Sequence, residues 1–168
     1  MNIYPYLDPI ILLVFSLISL ILAPFINKKW IMGISSLGIF LSLLISIYAV
    51  ITNNRSFFIS SQFFNISLYT YMFFILFTFI GLFSSISLRN ANNKEISIYY
   101  VLIPFSLIAM YFAISSNNLI SIFVSFEAAS LSTYVLAGMP KEKRTLEASI
   151  KYFVIGALSS GIILLGIS

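Results

Sequence analysis

Neither cysteine nor histidine occurs among the 168 residues. The thiolate and imidazole sets that hold structural zinc, haem and iron–sulfur clusters are therefore missing, and so is any disulfide framework. The chain is expected to carry no cofactor and no metal of its own; any redox group has to sit on a partner. Charge is nearly as scarce. Asp, Glu, Lys and Arg make up 8% of the chain, against about 25% in an ordinary soluble domain. No phosphate loop, catalytic triad or metal-ligand spacing is present, so no catalytic site of its own is expected. The net charge of +4 lies in short loops and forms no continuous basic patch, which argues against nucleic acid as a partner.

What the chain has in quantity is apolar sequence, 60% of its residues, with a mean hydropathy of +1.05. These residues come in blocks of the length that spans about 30 Å of hydrocarbon, so the expected partner for most of the surface is the lipid bilayer. Six spans are predicted: Leu7 to Ile26, Trp30 to Ile51, Leu68 to Leu88, Ile96 to Ser115, Asn118 to Met139 and Ala148 to Ser168. They lack the apolar/polar alternation of barrel strands, and helices are the other way to satisfy a backbone in lipid. The expected fold is all-α, a polytopic transmembrane helix bundle. The first block has no basic leader and no small-residue cleavage site, so it is expected to stay as a membrane helix.

Loop charges orient the bundle. Lys28, Lys29, Arg89, Lys94, Lys141, Lys143 and Arg144 fall on one side, whereas the opposite loops hold only Arg55. Basic loops stay in the cytoplasm, which predicts the N-terminus outside. The Asn54-Arg55-Ser56 acceptor pattern carries little weight, because it arises often by chance. Tyr4, Tyr6 and Trp30 flank spans as interfacial aromatics. Pro104 predicts a local kink in the fourth helix, and Gly156 with Ser160, like Ala157 with Gly161, predicts close helix packing in the sixth.

Few ionisable residues enter the membrane. Asp8, at the outer end of the first span, reads as interfacial. Glu127 lies nine residues into the fifth span, about 13 Å deep at 1.5 Å per residue. An acid at that depth costs on the order of 3 kcal/mol and marks proton or ion pathways. Ser130 and Tyr134, three and seven residues on, share its helical face and are candidate hydrogen-bond partners for the carboxyl or a nearby water. The competing reading is a glutamate that only bonds a neighbouring helix. Lys151 has Glu147 four residues before it, the spacing of a helical ion pair, and its long stem also permits snorkelling to the interface. Glu147 near a helix start is favoured by the helix dipole, with Thr145 the expected cap. A titrating acid near a movable cation gives a pumping scheme, since the cation's approach favours the carboxylate.

The run Phe126-Glu127-Ala128-Ala129-Ser130-Leu131, then Tyr134, then Lys143-Arg144-Thr145-Leu146-Glu147-Ala148-Ser149-Ile150-Lys151-Tyr152 resembles the antiporter-like membrane subunits of complex I, closest to the chain N (subunit 2) type. The resemblance implies that Glu127 is a proton-translocating acid and that Lys151 joins a buried charged axis. It divides the chain into residues 1–115, four N-terminal helices, and 116–168, the start of a proton-conducting region. It implies a non-redox subunit of a complex I-like quinone oxidoreductase in a bacterial or archaeal plasma membrane, with an organelle inner membrane as the alternative. Its partners would be the other membrane subunits, with quinone reached only through the assembled complex. A cation/proton antiporter or membrane-bound hydrogenase subunit shares the pattern, and a non-transporting scaffold is the alternative of another class. Two departures stand out: no proline follows Glu127 in the fifth helix, and the family's further helices and lysines are not in these residues, so an N-terminal portion is expected.

Overall fold

The computed structural model describes residues 4–53, 57–62, 64–88, 96–139 and 142–168. Among them are six helices: α1 (Leu7–Leu22), α2 (Lys28–Thr52), α3 (Leu68–Ser87), α4 (Ile96–Ser115), α5 (Leu119–Gly138) and α6 (Lys143–Ile167), with a 3-10 turn at Tyr4–Tyr6 leading into α1. All six spans are long and apolar enough to cross a bilayer, and the expected all-α bundle is the observed fold. Arg55, Arg89, Lys94 and Lys141 lie outside the described residues, together with the Asn54-Arg55-Ser56 pattern.

The helix ends show where local chemistry overrides hydropathy. α1 stops at Leu22, short of the predicted Ile26, where Pro24 removes a donor and the amides of Phe25 and Ile26 both turn to the Leu22 carbonyl. α2 ends at Asn53, whose φ of 45° is left-handed, a conformation asparagine tolerates better than most residues. α6 begins at Lys143 rather than Ala148. Thr145 does not cap it: its hydroxyl donates back to the Glu142 carbonyl, 2.9 Å away, from inside the first turn. Glu147 is therefore in the second turn, away from the strongest part of the helix dipole. A two-residue antiparallel pair, β1 (Ile59–Ser60) with β2 (Asn65–Ile66), occupies the connection between α2 and α3. Phe64 bridges from it to Ser116, tying this connection to the turn before α5.

Helices α1 to α4 surround a core of Leu12, Ile39, Tyr71, Phe74, Leu107 and Tyr111. Pro104 lies inside α4 and leaves the carbonyl four residues earlier, on Tyr100, without its helical donor. The Ser35 hydroxyl of α2 donates to that carbonyl at 2.6 Å, and the Ser16 hydroxyl of α1 donates to the next, on Val101, at 3.3 Å. Two serines from neighbouring helices thus satisfy the proline turn. Asp8 lies at the outer end of the first span as expected, in the first turn of α1, but it faces the protein interior and is 1% exposed.

Candidate functional site between α5 and α6

Glu127 stands eight residues after Leu119, about 12 Å along α5, and is partly buried. The side chain that reaches it is Ser160 of α6, whose hydroxyl donates to Oε1. The same hydroxyl lies 3.0 Å from the Gly156 carbonyl. A hydroxyl both donates and accepts, so Ser160 can serve Glu127 in either protonation state. With a carboxylate it donates to Oε1; with a neutral acid it accepts that proton and turns its own toward Gly156.

Among the described residues the hydroxyls of Ser130 and Tyr134 make no direct hydrogen bond to Glu127. The Ser130 hydroxyl donates to the Phe126 carbonyl at 3.0 Å, a local bond within α5. Tyr134 is buried, its ring held edge-on by Tyr152 at 4.7 Å and by Phe153 at 5.6 Å. Its hydroxyl lies tight against Gly156, where there is no room for a Cβ, so α5 and α6 meet through a glycine at the tyrosine tip. The small-residue expectation is met there; at Gly161 nothing lies within 4 Å of an added Cβ. Below the tyrosine, the Ser149 hydroxyl donates to the Tyr134 carbonyl at 2.9 Å, and the hydroxyls of Thr133 and Tyr152 are 3.4 Å apart.

Lys151 donates to Glu147 Oε1 at 2.6 Å, with side chains 69% and 61% exposed, respectively. Counted from the observed start of α6, Lys151 is about 12 Å along the helix. Nine residues separate it from Ser160, about 13 Å of helical rise, so Lys151 and Glu127 are not brought together directly. Between them lie Tyr134, Tyr152 and Thr133, a seam of hydroxyl-bearing side chains at the α5–α6 contact. Ser160, Tyr152 and Thr133 were not singled out from the sequence as site residues. Ser160 was visible there only as a small residue four after Gly156, and the antiparallel register that aims its hydroxyl at Glu127 needs the helix pair. A groove of about 430 Å³ opens between α4 and α5 near Val124 and Ala128, but apart from Ser121 and Ser125 its walls are apolar. Among the described residues no cluster of acids could hold a metal ion.

Residues 116–168, which contain this site, match the family model described as NADH:quinone oxidoreductase/Mrp antiporter, transmembrane. The whole six-helix arrangement superposes on respiratory complex I from Thermus thermophilus with a TM-score of 0.81 at 24% identity, covering 95% of this chain and 35% of that one. It also matches a membrane-bound sulfane sulfur reductase, an archaeal respiratory membrane complex, with a TM-score of 0.83 at 20% identity, covering 96% and 36%. Residues 116–168 thus match that family, and the six-helix arrangement shares its fold with chains of these two complexes. Relatives to which the chain is similar include subunits N. Subunit N 2 of the NADH-quinone oxidoreductase of Thermodesulfovibrio yellowstonii is 38% identical over 134 residues, 76% of this chain and 29% of the relative. Subunit N of the F(420)H(2) dehydrogenase of Methanosarcina mazei is 42% identical over 78 residues, 46% of this chain and 16% of the relative. The chain thus spans less than a third of the length of either relative.

Proposed function

We propose that this chain supplies part of a proton-translocating membrane subunit in a complex I-like quinone oxidoreductase, with residues 116–168 opening its proton-conducting region. The observation that carries the reading is Glu127, an acid in the middle of α5, bonded to a hydroxyl able to serve it charged or neutral, inside the segment that matches the antiporter-like family. Ser160, Tyr134, Thr133 and Tyr152 line the way from Glu127 toward Glu147 and Lys151, and the remaining protonatable positions would come from partner membrane subunits or further chain. In the state described, Lys151 is held by Glu147. Across the roughly 13 Å of helical rise between Lys151 and Ser160 an unpaired lysine charge would be worth about 1 kcal/mol at an effective dielectric constant of about 20, and pairing with Glu147 reduces it. Release of Lys151 from Glu147 and its approach along the seam would raise that coupling and favour proton loss from Glu127.

Subunit N occurs by name with both NADH and F(420)H(2) as donors, so the donor is a property of the peripheral partners rather than of this chain. The plasma membrane of a bacterium or archaeon, with the N-terminus outside, fits the loop charges. Because the chain has no cysteine, single-cysteine variants labelled from each side read that orientation against an empty background. The test of function is Glu127→Gln in the assembled complex in proteoliposomes, which keeps shape and hydrogen bonding but removes titration. Proton uptake per electron is expected to fall while the subunit still assembles; unchanged uptake would overturn the reading. Sodium uptake in place of proton uptake would favour the antiporter branch, which the matched family also includes.

A further inference from the structure

Asp8 has no part in the seam described above, yet it is among the most deeply buried polar residues of the molecule. Ser42 of α2 donates to Oδ1 at 3.1 Å. Oδ2 has no partner among the described residues, and neither has the buried hydroxyl of Ser46, which faces the same carboxyl from one turn further along α2. The other titratable groups around it are Tyr71 of α3, Tyr111 of α4 and Tyr6 beside it on its own segment. The two buried tyrosines spend their protons elsewhere. Tyr71 donates to the Phe57 carbonyl at 3.1 Å and Tyr111 to the Pro5 carbonyl, while their rings stand 6.4 Å apart. Among the described residues no Lys or Arg makes an ion pair with Asp8.

A carboxylate in such surroundings has one donor where it needs two or three, and its second oxygen has no protein donor among the described residues. A single proton on Oδ2 repairs both defects, because the new O–H has the Ser46 oxygen as its acceptor. The charged form is not excluded. Ser46 can turn its hydroxyl to donate, as Ser42 does, and Asp8 sits in the first turn of α1, where free amides favour a negative group. Each protonation state therefore has a satisfied arrangement reached by rotating one hydroxyl. The group is close to an aqueous face, being one turn into its span and preceded by the exposed Tyr4.

We propose that Asp8, with Ser42 and Ser46, is a second proton-binding site of this protein, built into the α1–α4 bundle, independent of Glu127 and loaded from the bilayer face where α1 begins. One proton from that aqueous phase adds to Oδ2 and leaves by the same route, with no other bond made or broken.

The experiment is infrared difference spectroscopy of the assembled complex in lipid nanodiscs, wild type against each variant, titrated from alkaline to acid pH in ordinary and heavy water. A carboxylic C=O band that grows as pH falls, shifts in heavy water, vanishes in Asp8→Asn and survives in Glu127→Gln is the expected result. Asp8→Glu should restore a titrating band at a displaced frequency, which separates loss of the acid from loss of fold. A band sensitive to Asp8→Asn but constant across the titration would mean a permanently neutral structural acid and overturn the proposal. So would the absence of any such band, or one that responds to sodium at fixed pH instead of to protons.

Discussion

In α1 to α4, a third or more of each span is buried within the protein, whereas 17% of α5 and none of α6 is. The difference governs how polar groups are used. In the four-helix body, four buried hydroxyls serve backbone carbonyls across the packing, with Ser35 and Ser16 on the proline turn of α4 and Tyr71 and Tyr111 on loop and N-terminal carbonyls. In the α5–α6 pair, the hydroxyls of Ser160, Thr133 and Tyr152 reach other side chains, Ser160 and Thr133 while also bonded to carbonyls of their own helices, and the ion pair lies on an open face. A group bonded only to a carbonyl is structural scaffolding. A group bonded to a titratable or hydroxylated side chain can exchange a proton without unfolding anything. Asp8 is the exception inside the body, which is why it carries the further proposal.

Breaking the exchangeable side of this contrast should have the largest effect. Glu127→Gln is expected to lower coupled proton uptake several-fold with little change in thermal stability, read by pumping assays and melting of the purified protein. Ser160→Ala tests whether the hydroxyl matters through Glu127: uptake should fall less than with Glu127→Gln, and the double variant should be no worse than Glu127→Gln alone. Next comes the close approach of the two helices. Gly156→Ala places a methyl where the Tyr134 hydroxyl lies, and overpacking of this kind costs about 1 to 3 kcal/mol. Gly161→Ala, with open space around it, is expected to be nearly neutral in the same melt. Adding Tyr134→Phe to Gly156→Ala should recover part of the loss, because it removes the atom in the way.

Much of this architecture was legible from hydropathy, since bilayer thickness dictates the length of an apolar block before any packing is known. The start of α6 was misplaced for the same reason. Lys143, Arg144 and Glu147 depress hydropathy while the backbone continues as helix through them, so an apolar block marks the lipid-fitting part of a helix and not its first turn. Glu127 and Lys151 stood out because charge is rare in such sequence. Their partners did not, because Ser160 and Ser42 reach their acids across antiparallel helix pairs whose register no local spacing fixes. The burial of Asp8 was not legible, because position near the end of a block does not say whether a side chain faces the interface or the protein interior. The serines at Ser35, Ser42 and Ser46, spaced seven and four apart on one face of α2, were the available sign that a polar neighbour lay opposite.

On the scaffolding side, Ser35→Ala should destabilise the bundle by about 1 kcal/mol, the usual net worth of a buried hydrogen bond. If the hydroxyl is there to repair the proline turn, that loss should shrink in a Pro104→Ala background, where the substituted residue regains an amide that can donate to the Tyr100 carbonyl. An undiminished loss would assign Ser35 to packing alone.

The smallest stability effect is expected at the best-formed charge contact. Lys151 and Glu147 are 2.6 Å apart, but both are well over half exposed, and an exposed pair at this spacing contributes about 0.3 to 0.5 kcal/mol in water. Glu147→Gln should therefore move the melting temperature very little. Its effect on pumping should be larger than its effect on stability, because it frees the Lys151 charge that Glu147 otherwise holds in place. A melting shift larger than that of Ser35→Ala, with normal pumping, would put the pair on the scaffolding side of the molecule and leave Glu127 without its movable cation.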